Sequence, residues 1–104
     1  MNNAWQLAVV DWELYKKYAA SKGKDHILNR CFVDKSTQPF KDGTIVFIIK
    51  PYFMSANGEL GAYLWIPSKK KYGSIIIHAL YPVITAKDAI EMNLKFGIDL
   101  SPYL

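Results

Sequence analysis

His26 and His78 are the side chains of this chain best suited to moving protons near neutral pH, because an imidazole titrates in that range. With a lysine nearby, such a pair can cleave RNA by acid–base chemistry. Nothing local brings them together. His26 follows a Gly-Lys-Asp turn and is expected at the surface, whereas His78 lies in an apolar run and is expected to be a hydrogen-bonded structural residue. Cys31 is the one cysteine and sits in the apolar run Cys31-Phe32-Val33. No internal disulfide can form, which fits a reducing compartment, and the thiol reads as a small packing residue rather than a nucleophile. No His or Cys residues fall at metal-ligand spacing. Asp88 and Glu91 share one face of a predicted helix, which is ordinary for helix surfaces. No glycine-rich loop opens a helix, so no phosphate cradle is expected. The reading is a non-enzymatic binding module with no catalytic residues, cofactor or metal. A histidine-dependent ribonuclease stands as a minor alternative.

The aromatic residues carry more. The chain holds three Trp, seven Tyr and five Phe. Asn57-Gly58 tolerates the positive φ angles of a two-residue type I′ turn and predicts a hairpin. That turn would pair Ala56 with Glu59, Met54 with Gly61, Tyr52 with Tyr63 and Lys50 with Trp65. These residues share one side. On the other, Ile49, Pro51, Phe53 and Ser55 meet Ile66, Leu64, Ala62 and Leu60, which reads as the core face. A third strand, Ser74 to Tyr81, is expected to set His78 beside Tyr63 and Trp65. The loop Lys69, Lys70, Lys71, Tyr72 would lie at the rim. An open β-face of Lys50, Tyr52, Tyr63 and Trp65 could stack unpaired bases, while lysines neutralise phosphates without reading sequence. A competing placement covers the same face with the N-terminal helix, whose Trp5 and Trp12 would bury Tyr52, Tyr63 and Trp65 as a second core layer. In that placement the lysine run is a solvated loop.

The elements that must position these groups are read from periodicity. Trp5, Ala8, Val9, Trp12, Tyr15 and Ala19 follow helical spacing, with Asn2 or Asn3 as cap and Gly23 at the end. The same residues also allow a short strand at Leu7 to Val10, with Asp11 capping a shorter helix. Ile27 to Val33 fits a strand or a short helix, and residues 34–43 read as loop. Thr44 to Ile49 is β-branched and aromatic and reads as a strand buried on both faces. Thr85 and Asp88 form a capping box for a helix over Ala86 to Phe96, stopped by Gly97. The tail supplies Ile98, Leu100, Tyr103 and Leu104 to dock back. The expectation is one α+β domain over residues 1–104: an antiparallel β-meander of three to four strands packed with an N-terminal and a short C-terminal helix.

Charge and composition limit the partners. Thirteen Lys and Arg face nine Asp and Glu, a net charge of +4. Arg30 is the only arginine, and bidentate base recognition favours Arg, which argues against a sequence reader of duplex DNA. No apolar run approaches the ~20 residues of a membrane helix, and no basic n-region precedes an apolar core. A cytoplasmic protein with no membrane partner is the expectation. The partner is a single-stranded nucleic acid or a protein, the latter including an inhibitor target, an adaptor's client or a second copy in a homodimer. The small size and absence of motifs suit an accessory protein of a phage or mobile element.

Overall fold

In the computed structural model the described residues are 5–23, 40–54 and 58–104. They form β1 (Gln6–Val10), α1 (Trp12–Ser21), β2 (Ile45–Met54), β3 (Glu59–Ile66), β4 (Lys71–Ile76), a 3-10 turn (Ile77–Ala79), β5 (Leu80–Pro82), α2 (Ala86–Phe96) and a last 3-10 turn (Ser101–Tyr103). The strands make one antiparallel sheet in the order β4-β3-β2-β1-β5. The fold is therefore α+β, with five strands where three to four were expected. The residues of the Ile27 to Val33 segment, with His26, Arg30 and Cys31, lie outside the described set, as does Asn57 of the turn.

The N-terminal segment is not one long helix. It is the alternative, a strand followed by a shorter helix. β1 is hydrogen-bonded to β2 on one side and to β5 on the other, so Leu7 to Val10 are buried on both faces of the sheet. A central strand satisfies every backbone group of this apolar run, which a helix exposed on one side would not. Asp11 then caps α1, accepting from the Glu13 N–H at 3.1 Å. Asp42 Oδ1 accepts from the Trp12 N–H at 2.8 Å. Two carboxylates thus serve the positive end of the helix. Lys95 Nζ, from the last turn of α2, lies 2.8 Å from Asp11 Oδ2 and 3.5 Å from Glu13 Oε2.

The sheet must curl. Leu80, at the start of β5, lies four positions after Ile76, at the end of β4. Their path spans at most about 14 Å. A flat sheet would hold these opposite edges about 19 Å apart, four spacings of about 4.8 Å. The 3-10 turn therefore bridges the mouth of an incomplete barrel, and the Asp11 N–H donates to Ala79 O at 2.8 Å to fix it there. The expected third strand, Ser74 to Tyr81, is broken by this turn: its apolar run ends one edge strand and begins the other.

Both faces of the sheet are covered, each by one helix. On one side α1 lays Trp12, Tyr15 and Ala19 onto Val10, Val46, Leu64 and Ile66. On the other, Met92 of α2 and Leu100 of the tail pack on Leu7, Val9, Phe47 and Val83. α2 follows its local signals: Thr85 and Asp88 form the reciprocal capping box, and Gly97 closes the helix at φ 67°. Among the described residues no helix is long and apolar enough to cross a membrane.

Candidate functional site

β2 and β3 pair Lys50 with Tyr63, Tyr52 with Gly61 and Met54 with Glu59. The expected pairs, Tyr52 with Tyr63 and Lys50 with Trp65, are displaced by two residues. A shift of two leaves every side chain on its face, because strand side chains alternate with period two. Packing selects this register. A Cβ on Gly61 would lie 2.6 Å from the Tyr52 ring, so Tyr52 can lie across its neighbour only because that neighbour is glycine. From there it stacks on Tyr63, ring centroids 4.4 Å apart at 25°. The clash is with the far end of a movable side chain. Gly61→Ala is therefore expected to keep the fold and swing Tyr52 off Tyr63, a change that the near-ultraviolet circular dichroism of the tyrosines reports.

Further along, a bulge between Ile48 and Lys50 changes the alternation. Val46 and Ile48 turn toward α1, and Phe47 pairs with Trp65 instead. Trp65 is half-buried against the cluster formed by Phe47, α2 and the tail. Its cross-strand partner on β4 is Tyr72, at 4.9 Å. Tyr72 read as loop in the sequence, since it follows three lysines; only the pairing of β4 with β3 brings it onto this face. Tyr63 is 43% exposed and Tyr72 67%. Lys50 Nζ lies 5.7 Å from the Tyr63 ring centre, not over Trp65. The N-terminal helix does not cover these rings: Trp12 belongs to the core beneath α1, while Trp5, ahead of β1, packs with the same cluster as Trp65 and Tyr63 and Tyr72 stay exposed. The face is a strip, held down at Trp65 and open at Tyr63 and Tyr72.

The remaining expected residues lie elsewhere. Lys69 Nζ sits 5.6 Å from the ring of Phe40, a core residue on the α1 side. Lys71 pairs with Ile66 and shares its α1-side face. Lys70 occupies the turn at φ 50°. The lysine run thus does not rim the aromatic strip. Phe53 and Leu60, expected in the core, are 66% and 47% exposed, because the far end of the β2–β3 ribbon runs past the helices.

His78 is not beside Tyr63 and Trp65. In the 3-10 turn it stacks on Tyr18 of α1, centroids 3.5 Å apart at 14°. The Tyr18 hydroxyl donates to Glu59 Oε2 at 2.8 Å, and His78 Nε2 lies 3.8 Å from the same oxygen. Lys22 Nζ stands 4.9 Å from the Tyr18 ring centre. Glu59 is buried. In the sequence it figured only as the partner of Ala56 across the turn, and no sequence signal links it to Tyr18, 41 positions away.

Burial holds the His78 imidazole below the ordinary histidine range; Glu59 opposes this and Lys22 reinforces it. A histidine whose pKa is lowered by folding favours the unfolded chain when protonated. Its stabilising contribution is present above the ordinary pKa of about 6.5 and is lost as pH falls below it. The urea midpoint is expected to fall between about pH 7.5 and 5.5, and His78→Gln to flatten that fall. Equal slopes in both proteins would refute this.

Asp88 and Glu91 are used structurally. The Tyr81 hydroxyl lies 2.7 Å from Glu91 Oε2 and 3.1 Å from Asp88 Oδ1, and hydrogen bonding to Glu91 is the main cause raising its pKa. Among the described residues no three His, Cys, Asp or Glu side chains gather as metal ligands. No protein-family model, no curated protein and no solved structure matches this chain.

Proposed function

We propose that this protein binds single-stranded nucleic acid on the strip formed by Lys50, Tyr52, Tyr63, Trp65 and Tyr72, without reading sequence. The observation that carries this reading is the Tyr52–Tyr63 stack, two rings 4.4 Å apart inclined at 25°, with Tyr63 open to solvent. A rigid aromatic surface loses little entropy on binding a base, and any base offers a π-face to it. Lys50 at its edge and the net charge of +4 suit a phosphate backbone. Fluorescence tests it: Trp65 touches Tyr72 within the strip, so a short single-stranded oligonucleotide should quench it at low salt and release it at high salt. An unchanged signal at low salt in a monodisperse sample would end this reading.

A second reading, a homodimer, is favoured by one observation. Ile90, Leu94 and Leu104 are 60–79% exposed on α2 and the tail and line one cleft, an exposed aliphatic grouping of the kind that marks interfaces. The cleft measures about 340 Å³. A two-fold contact could seat Leu94 of each copy in the other's cleft, since such contacts use one patch twice. Light scattering decides it: a dimer that Leu94→Glu dissociates supports this contact, and a monomeric parent at high concentration excludes it.

A further inference from the structure

We propose that Glu59, His78 and Lys22, with Tyr18 as the positioning residue, form an acid–base site that cleaves RNA beside the aromatic strip. The inference rests on the nucleic-acid reading above and adds a substrate class and a reaction to it.

Geometry carries the argument. Three elements distant in sequence converge on one carboxylate: the end of α1, the start of β3 and the 3-10 turn. Glu59 is 9% exposed, and burying a carboxylate in a small domain is costly. Holding α1 against the sheet does not require it, because an apolar side chain would do so at lower cost. His78 keeps part of its surface open, its side chain 31% exposed, and its Nε2 faces the carboxylate. Tyr18 fixes both groups, its ring against the imidazole and its hydroxyl on Glu59 Oε2. Lys22 is exposed above that ring. A base, an acid and a cation are therefore within one side chain's reach, the set that phosphodiester transesterification needs. Burial holds the His78 pKa below the ordinary histidine range, so the imidazolium that acts as the acid forms more readily below neutral pH.

The strip and this site share β3. Glu59 is two residues from Gly61 along β3, about 7 Å, and Gly61 is where the Tyr52 ring lies. A strand stacked on Tyr63 and Tyr52 would continue toward Glu59. The Glu59 carboxylate takes the proton of a ribose 2′-hydroxyl. The 2′-oxygen forms a bond to phosphorus, the bond from phosphorus to the 5′-oxygen breaks, and that oxygen takes a proton from the His78 imidazolium. Lys22 offsets the charge on the non-bridging oxygens. The products are a 2′,3′-cyclic phosphate and a 5′-hydroxyl; transfer of the proton from Glu59 back to His78 restores the site. No co-reactant is needed.

The test incubates the full chain with a short unstructured RNA and with the same sequence in 2′-deoxy form, following both cleavage and binding. The expected result is RNA ends carrying 2′,3′-cyclic phosphate, with the deoxy strand bound but intact. Glu59→Gln and His78→Gln should each lower the rate by at least about 100-fold. Lys22→Met, at an exposed position that cannot disturb the core, should lower it by about 10-fold. Circular dichroism confirms that each variant is folded, and Lys22→Met keeps the test decisive if either buried change unfolds the chain. Binding of both strands without RNA cleavage overturns this inference and leaves the binding reading standing. Cleavage at parental rate by folded His78→Gln or by Lys22→Met also overturns it. Neither binding nor cleavage overturns both.

Discussion

Asp11→Ala is expected to lower the unfolding free energy by about 2–3 kcal/mol, a large share of the ~5–15 kcal/mol typical of a domain. The residue does two jobs. Its side chain caps α1 on the Glu13 N–H, and its other oxygen takes Lys95 at 2.8 Å. Loss of a cap costs about 1 kcal/mol. A hydrogen bond to a charged partner adds about 1.5–3 kcal/mol, reduced here because Lys95 keeps 37% of its side chain in water. Asp11 itself is 2% exposed, so Lys95→Met leaves a carboxylate in the core with only the backbone to satisfy it. That change is also expected to cost about 2 kcal/mol. Asp11→Asn keeps the cap and should cost about half as much as Asp11→Ala. Urea unfolding followed by the fluorescence of buried Trp12, which stands next to the cap, gives these differences. An Asp11→Ala protein within about 0.5 kcal/mol of the parent would show the linkage to be ornamental. Because Asp11 joins the N-terminus of α1 to the C-terminal turn of α2, this pair also ties the two covering helices together past the end of β1.

Tyr63→Ala is expected to weaken binding of a single-stranded oligonucleotide by roughly 5- to 150-fold, the equivalent of about 1–3 kcal/mol for one lost stacking platform. Tyr63 is the open member of the Tyr52–Tyr63 pair and also the ring beneath Lys50. Its removal takes away the base platform and one side of the lysine's contact together. Lys50→Ala should act differently, reducing the slope of log affinity against log salt by about 0.7 for one lost phosphate contact. Phe53→Ala is the control. Phe53 is as exposed as Tyr72 but projects from the opposite side of the ribbon, so it should leave affinity unchanged. Equal losses at Phe53 and Tyr63 would indicate general apolar adhesion instead of stacking on the strip.

These residues differ in how far they could be read in advance. α2 was legible almost to the residue, because Thr85, Asp88 and Gly97 act on backbone groups within a single turn. The division of β2 and β3 into two faces was legible as far back as Lys50, because alternation along a strand is a local property. The register was not, since a shift of two residues preserves that alternation; the fit of Tyr52 over Gly61 chose between the options. Beyond Lys50 the bulge reversed the faces, which no pattern in Thr44 to Ile49 announced.

The N-terminal segment shows the limit most clearly. Leu7 to Val10 satisfy a helical stripe and a buried strand equally well, and β2 and β5 decide between them by pairing on either side. His78 lost its place in a strand because the chain had to cross from one edge of the sheet to the other there, and the crossing brought it to Tyr18 and Glu59. By itself the sequence determined an α+β domain, its C-terminal helix, and a ribbon with Lys50, Tyr52 and Tyr63 on one face, since caps, alternation and side-chain chemistry act over a few residues. Which rings face water, which helix covers which side, and the meeting of Tyr18, Glu59 and His78 were decided by the curl of the sheet. That curl depends on pairing between strands far apart in the chain, and short-range preferences do not encode it.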